Sequence, residues 1–153
     1  MREVHIKFIP NNEHRYETIG DWFIDKKGNL QIRVSKFEDE RHSMLVAIHE
    51  VFEAYAATKN HIPEPEVTKF DVWFEEESKA GRIPATLEEP GMHKSCPYNR
   101  EHQYATAVEM VLATLLGCNW WEYDEAVRKM SREQIIKERQ VDENGETKNT
   151  NPG

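Results

Sequence analysis

Residues 44–57 read Met-Leu-Val-Ala-Ile-His-Glu-Val-Phe-Glu-Ala-Tyr-Ala-Ala, a segment apolar nearly all round with a His-Glu-x-x-Glu group at its centre. A helix that is apolar on every side belongs in the middle of a fold. Charges held there need a partner or a metal, because their desolvation is worth several kcal/mol. His49 and Glu53 stand one helical turn apart on one face, a spacing that offers two ligands to one ion. Glu50 points about 100° round the axis from His49, placed to reach a water drawn to such an ion.

The rest of the chain supplies a setting for that helix. Val4, Ile6 and Phe8 alternate with polar residues and predict a half-buried strand. Residues 22–24 and 30–34 predict a hairpin with Gly28 in its turn. The central helix is expected over 38–58, with Met44, Leu45, Ile48, Val51, Phe52 and Tyr55 as its main apolar face. His42, His49 and Glu53 run beside that face, and Ala47, Ala54 and Ala57 offer a flank for close packing. A second helix is expected over 65–80, stopping at Gly81, and a third from Pro97 to about residue 116. The 81–97 connection holds three prolines and two glycines, and a connection of that length borders a functional cleft or moves. A fourth helix starts near Asn119 and breaks at Ser131 before 132–140. The fold class is α+β: a small N-terminal antiparallel sheet of about three strands, then about four helices. Residues 1–141 form one domain. Residues 142–153 lack an apolar anchor and read as a disordered tail.

Polar residues recur on the faces that should be buried. On the second helix Asp71 lies within the arc of Val67, Phe70 and Phe74, aimed at a backbone donor or at another functional group. On the third, Glu109 is the only charge in 104–116, with His102 two turns before it and the small Ala105 and Thr106 between them. His49 and Glu53, then Asp71, then His102 and Glu109 converge from three helices. Two imidazoles with carboxylates suit zinc, manganese or iron. Zinc fits a hydrolytic role best, and magnesium stays open. His93-x-x-Cys96 is a lone pair of ligand types without a second pair. No glycine-rich phosphate loop is present. Trp120, Trp121 and Tyr123 read as a packing cluster.

Composition narrows the classes of partner. The 153 residues are 38% hydrophobic and 31% charged, with a formal net charge of −8. That balance argues against a general nucleic-acid-binding surface, which needs a basic stripe. No apolar run approaches the roughly 20 residues of a membrane span. Only Cys96 and Cys118 are present, without a Cys-x-x-Cys pair or a secretory leader, so the expected setting is cytoplasmic with reduced thiols.

The segment 45–53 resembles the active helix of zincin metallopeptidases, whose motif is His-Glu-x-x-His. The resemblance implies His49 as first ligand, Glu50 as general base, Glu53 in the place of the second histidine, and His102 or Asp71 completing the set. His49-Glu50-x-x-Glu53-Ala54, then Phe70-Asp71, then Pro97-Tyr98-x-x-Glu101-His102, is also similar to small phage-encoded proteins of unassigned function. The expected function is a metal-dependent hydrolase acting on an amide or ester bond of a small-molecule or peptide substrate. Two rivals stand beside it. One is a non-enzymatic interaction or inhibitor protein of a phage, with the polar cluster as a buried network. The other is a helical nucleotide pyrophosphohydrolase, because Glu50-x-x-Glu53 is similar to the first acidic pair of those enzymes. The later Glu-x-x-Asp pair of that group is missing, since Leu112 follows Glu109 at that spacing.

Overall fold

A computed structural model describes residues 3–84, 86 and 89–146, with side chains through residue 133. Strands β1 (Val4–Ile9), β2 (Gly20–Ile24) and β3 (Leu30–Ser35) form one sheet in the order β1-β3-β2. β2 and β3 make the expected antiparallel hairpin, with Trp22 opposite Ile32. Its turn closes through the Gly28 N–H, which donates to the Asp25 carbonyl at 2.9 Å. Gly28 has φ of 82° there, a conformation that glycine adopts without a Cβ penalty. β1 departs from the expected antiparallel arrangement. It runs parallel to β3, with Ile6 opposite Ile32. The chain leaves β1, passes over one strand position to lay down β2, and returns through the hairpin into the gap. The sheet is therefore mixed.

Four helices follow among the described residues: α1 (Glu40–Lys59), α2 (Glu64–Lys79), α3 (Asn99–Leu115) and α4 (Trp120–Glu146). The architecture is α+β. Asp39 caps α1 by accepting the Arg41 N–H at 2.9 Å. α3 starts just past Pro97 rather than at it. α4 does not break at Ser131, whose hydroxyl folds back onto the Val127 carbonyl at 3.2 Å and leaves the helical ladder intact. It continues to Glu146, into the stretch expected to be a disordered tail from residue 142. Residues 147–153 lie outside the described part. Among the described residues no helix is long and apolar enough to cross a membrane.

α1 lies against β2 and β3 on one side and α3 on another. Leu30, Ile32 and Val34 of β3 are fully buried beneath it. The sheet face extends past the helical layer, so Val4 and Ile6 of β1 are 46% and 43% exposed, against the expected half-buried strand. The face of α1 also differs from expectation. Met44, Phe52 and Tyr55 are exposed, whereas Leu45, Val46, Ala47, His49, Glu53, Ala54 and Ala57 are buried. The alanines decide this orientation. They let the sheet and α3 approach the helix backbone closely, and that contact outweighs burial of the larger side chains. Ala54→Leu is expected to cost about 1–3 kcal/mol of unfolding free energy by overpacking. Urea denaturation measures it, and an unchanged midpoint would contradict the packing described.

Candidate metal centre

The middle of α1 and the first turn of α3 meet beneath this packing. His49 Nε2, Glu53 Oε2 and His102 Nδ1 form a triangle. The edges are 3.1 Å between the two nitrogens, 3.0 Å from His102 to Glu53 and 3.5 Å from His49 to Glu53. All three residues are buried. Three corners of a tetrahedron built on bonds of about 2.1 Å lie about 3.4 Å apart. The triangle thus has the size of one face of a zinc-type coordination shell.

The outward side of each ligand fixes its chemistry. His49 Nδ1 faces Glu109 Oε2 at 3.0 Å, and His102 Nε2 faces Glu89 Oε2 at 3.1 Å. An ionised carboxylate only accepts, so each of these ring nitrogens carries the N–H. In the neutral rings, the nitrogens turned toward Glu53 are then bare lone pairs. The same carboxylate-imidazole pairing orients histidines that bind metal ions. Glu53 is held in turn by Trp22, whose indole N–H donates to Oε1 at 3.1 Å and leaves Oε2 to the histidines. Tyr123 donates its hydroxyl to Glu109 Oε1. Two lone pairs and a carboxylate oxygen crowd one point, and a cation or a shared proton must sit between them.

Electrostatics follow from this geometry. Burial pulls His49 down, but Glu109 and Glu53 overcome it and hold the ring well above its ordinary value. Burial likewise opposes the charge on His102, yet Glu53 and Glu89 raise it to about 9. For Glu53 burial pushes up, and the two histidines prevail and hold it at about 2. Glu50 goes the other way. Burial, reinforced by the negative charge of Glu53, raises it well above a normal carboxyl.

These shifts set the pH response of metal-free protein. The contribution of Glu53 is present above about 4.5 and lost as pH falls toward 2. The contribution of His102 is present below about 6.5 and lost as pH rises through 9. Asp71, raised from 3.8 to about 7 mainly by burial, contributes fully below 3.8 and loses its share as pH rises through 7. Chelator-treated protein should therefore have its highest melting temperature in mildly acidic buffer and lose stability on both sides. A melting temperature that climbs steadily from pH 6.5 to 9 would contradict these assignments.

The structure brings His49, Glu53 and His102 together and leaves Asp71 out of the triangle. Asp71 accepts hydrogen bonds from the Tyr98 hydroxyl and, at 2.9 Å, from the Tyr16 hydroxyl. Both oxygens are thus engaged by phenols, which corrects its expected place as a ligand. Glu50 lines the cavity beside the triangle. His93 and Cys96 do not form a second centre. The His93 ring lies 5.6 Å from that of Trp73, and Cys96 is a buried thiol pushed up to about 12, chiefly by burial. Trp120 packs on Tyr123 at 5.4 Å, while Trp121 is 77% exposed.

A cavity of about 960 Å3 opens onto the triangle. Its walls come from β2, all four helices and the connection through Ile83, Pro84 and Gly91. That volume suits a drug-sized ligand. Two glycines keep room for the site. A Cβ on Gly20 would overlap the Glu50 carboxyl and come within 2.9 Å of Val46 Cγ1. A Cβ on Gly91 would overlap the His102 ring. The sequence singled out Glu109 as a lone charge on an apolar helix. Tyr123 reads from the sequence as a packing residue rather than a hydrogen-bond donor, and Glu89, Trp22 and Gly91 give no signal, because a loop residue, an indole donor and a steric gap follow no period.

Comparison of the chain with protein-family models, curated proteins and solved structures gives no match.

Proposed function

We propose that this chain is a metal-dependent hydrolase of amide or ester bonds, with His49, Glu53 and His102 holding the ion. The observation that carries this reading is the convergence of two histidine lone pairs and one carboxylate oxygen, each oriented from behind, on the wall of a large cavity. Zinc suits the donor set best, with manganese, iron or magnesium as alternatives. The ion would supply Lewis acidity, polarising a carbonyl and acidifying a water. The protein supplies the rest. Trp22 holds Glu53 in place, and Glu109 and Glu89 hold the two imidazoles. Glu50 serves as general base: it follows the ligand histidine in the chain and lines the cavity beside the triangle. The resemblance of 45–53 to the zincin helix supports the same roles.

The test is an activity screen of tag-free protein with generic peptide, ester and nucleotide substrates. Hydrolysis of an amide or ester should appear, vanish with chelator and return on metal add-back. Turnover unaffected by chelator would overturn the reading.

One observation favours a second reading, a buried structural network in a non-enzymatic interaction protein. Each nitrogen of His49 and His102 has a hydrogen-bonding neighbour without any ion. A proton between the rings then does the work assigned to the metal. The pyrophosphohydrolase reading has less support. The chain begins with a sheet, and Glu53 turns to two histidines rather than to a set of carboxylates.

A further inference from the structure

We propose that the outer face of the α1–α3 pair docks onto the same face of a second copy of this chain, forming a four-helix dimer interface. The two helices run antiparallel. Arg41 at the start of α1 reaches the Leu116 and Gly117 carbonyls past the end of α3, and Asn60 past the end of α1 reaches Glu101 at the start of α3. The metal ligands mark the inner side of the pair. On the opposite side of α1, Met44, Ile48, Phe52 and Tyr55 follow the spacing i, i+4, i+8, i+11, one continuous helical stripe. On α3, Tyr104, Val108, Val111 and Leu115 do the same at i, i+4, i+7, i+11. Helix phase sets each stripe roughly 120–140° round its axis from the inward-facing His49 and Glu53 or His102 and Glu109, on the flank of the antiparallel pair turned away from the cavity.

Exposure is what makes this face unusual. Tyr55, Tyr104, Val111 and Leu115 are 59%, 58%, 62% and 75% exposed, and Met44 and Phe52 are 44% and 38% exposed. Since a large side chain presents roughly 150–250 Å2, these six leave on the order of 700 Å2 open. A monomer's largest apolar patch is about 300–600 Å2, and a standard interface covers about 800 Å2 per partner. The area is thus that of one half of a stable dimer.

The choice of a second copy rests on this area and on charge. No residue of either stripe is ionised, although the chain carries a net charge of −8. Two copies can therefore meet stripe to stripe about a two-fold axis without bringing like charges together along the stripes. Two antiparallel pairs stacked face to face make a four-helix bundle, with each cavity on its outer side.

Sedimentation equilibrium of the full chain, from micromolar to several hundred micromolar, tests this directly. The wild type should sediment at twice the chain mass. Tyr104→Glu combined with Leu115→Glu should sediment at the single mass with unchanged helix content, and Tyr55→Glu gives an independent variant on α1. Trp121→Glu, a control on exposed α4, should remain dimeric. A wild type of single mass throughout would overturn the proposal and leave the face to a different protein. A dimer that survives the α1 and α3 variants would overturn it as well, by placing the contact elsewhere. Neither outcome depends on whether the protein binds metal.

Discussion

Gly91→Ala should empty the proposed metal centre while leaving the fold standing. Gly91 sits in a short turn, Pro90–Met92, against the face of the His102 ring. The turn has little freedom to retreat. Pro90 fixes one side, and Asn99 Nδ2 donates to the Gly91 carbonyl at 2.8 Å. Glycine is needed here for space, since its φ is not among the positive values. A methyl group at this point forces the imidazole away, and His102 Nδ1 leaves the triangle. Losing a carboxylate behind a ligand lowers metal affinity roughly 10–100-fold, and displacing the ligand itself should exceed that. Metal titration against a competing chelator measures the effect, with circular dichroism to confirm the fold. Unchanged affinity would mean that His102 does not bind the ion.

Glu50→Gln should separate chemistry from scaffolding. The amide keeps the size of the carboxyl but takes no proton from water. Loss of a positioned general base lowers turnover about 10²–10⁴-fold, and metal content and melting temperature should stay near those of the wild type. The carboxyl is not a member of the triangle, so the substitution removes no ligand atom. It also relieves an unfavourable charge, because Glu53 repels an ionised Glu50. A variant with wild-type turnover on the substrate found by screening would remove Glu50 from the mechanism. Gly20→Ala is a weaker version of the same perturbation, since its methyl crowds the Glu50 carboxyl.

Helical periodicity carried most of what the chain revealed about itself. His49 and Glu53 one turn apart, His102 and Glu109 two turns apart, and Asp71 within an apolar arc all proved buried. Those positions are legible because helix phase ties spacing to direction. What periodicity cannot supply is depth and partner. Asp71 was placed on the correct side of α2, but only the fold shows that Tyr98 and Tyr16 engage it. Hydrophobic size does not mark the buried face of α1. Three alanines and a polar cluster face inward, and Met44, Phe52 and Tyr55 face outward. The direction of β1 was equally hidden, since strand alternation is the same for parallel and antiparallel neighbours. Glu89 reaches His102 from a connection whose path follows no repeat.

Elemental analysis of protein purified without a histidine tag, wild type beside His49→Ala, tests the central claim most directly. The account predicts close to one transition-metal ion per wild-type chain and almost none in His49→Ala, which should also melt at lower temperature because Glu53 and Glu109 lose their shared partner. Equal metal content in the two proteins would contradict the site. Two metal-free proteins, with His49→Ala still melting several degrees lower, would instead make the cluster a structural network.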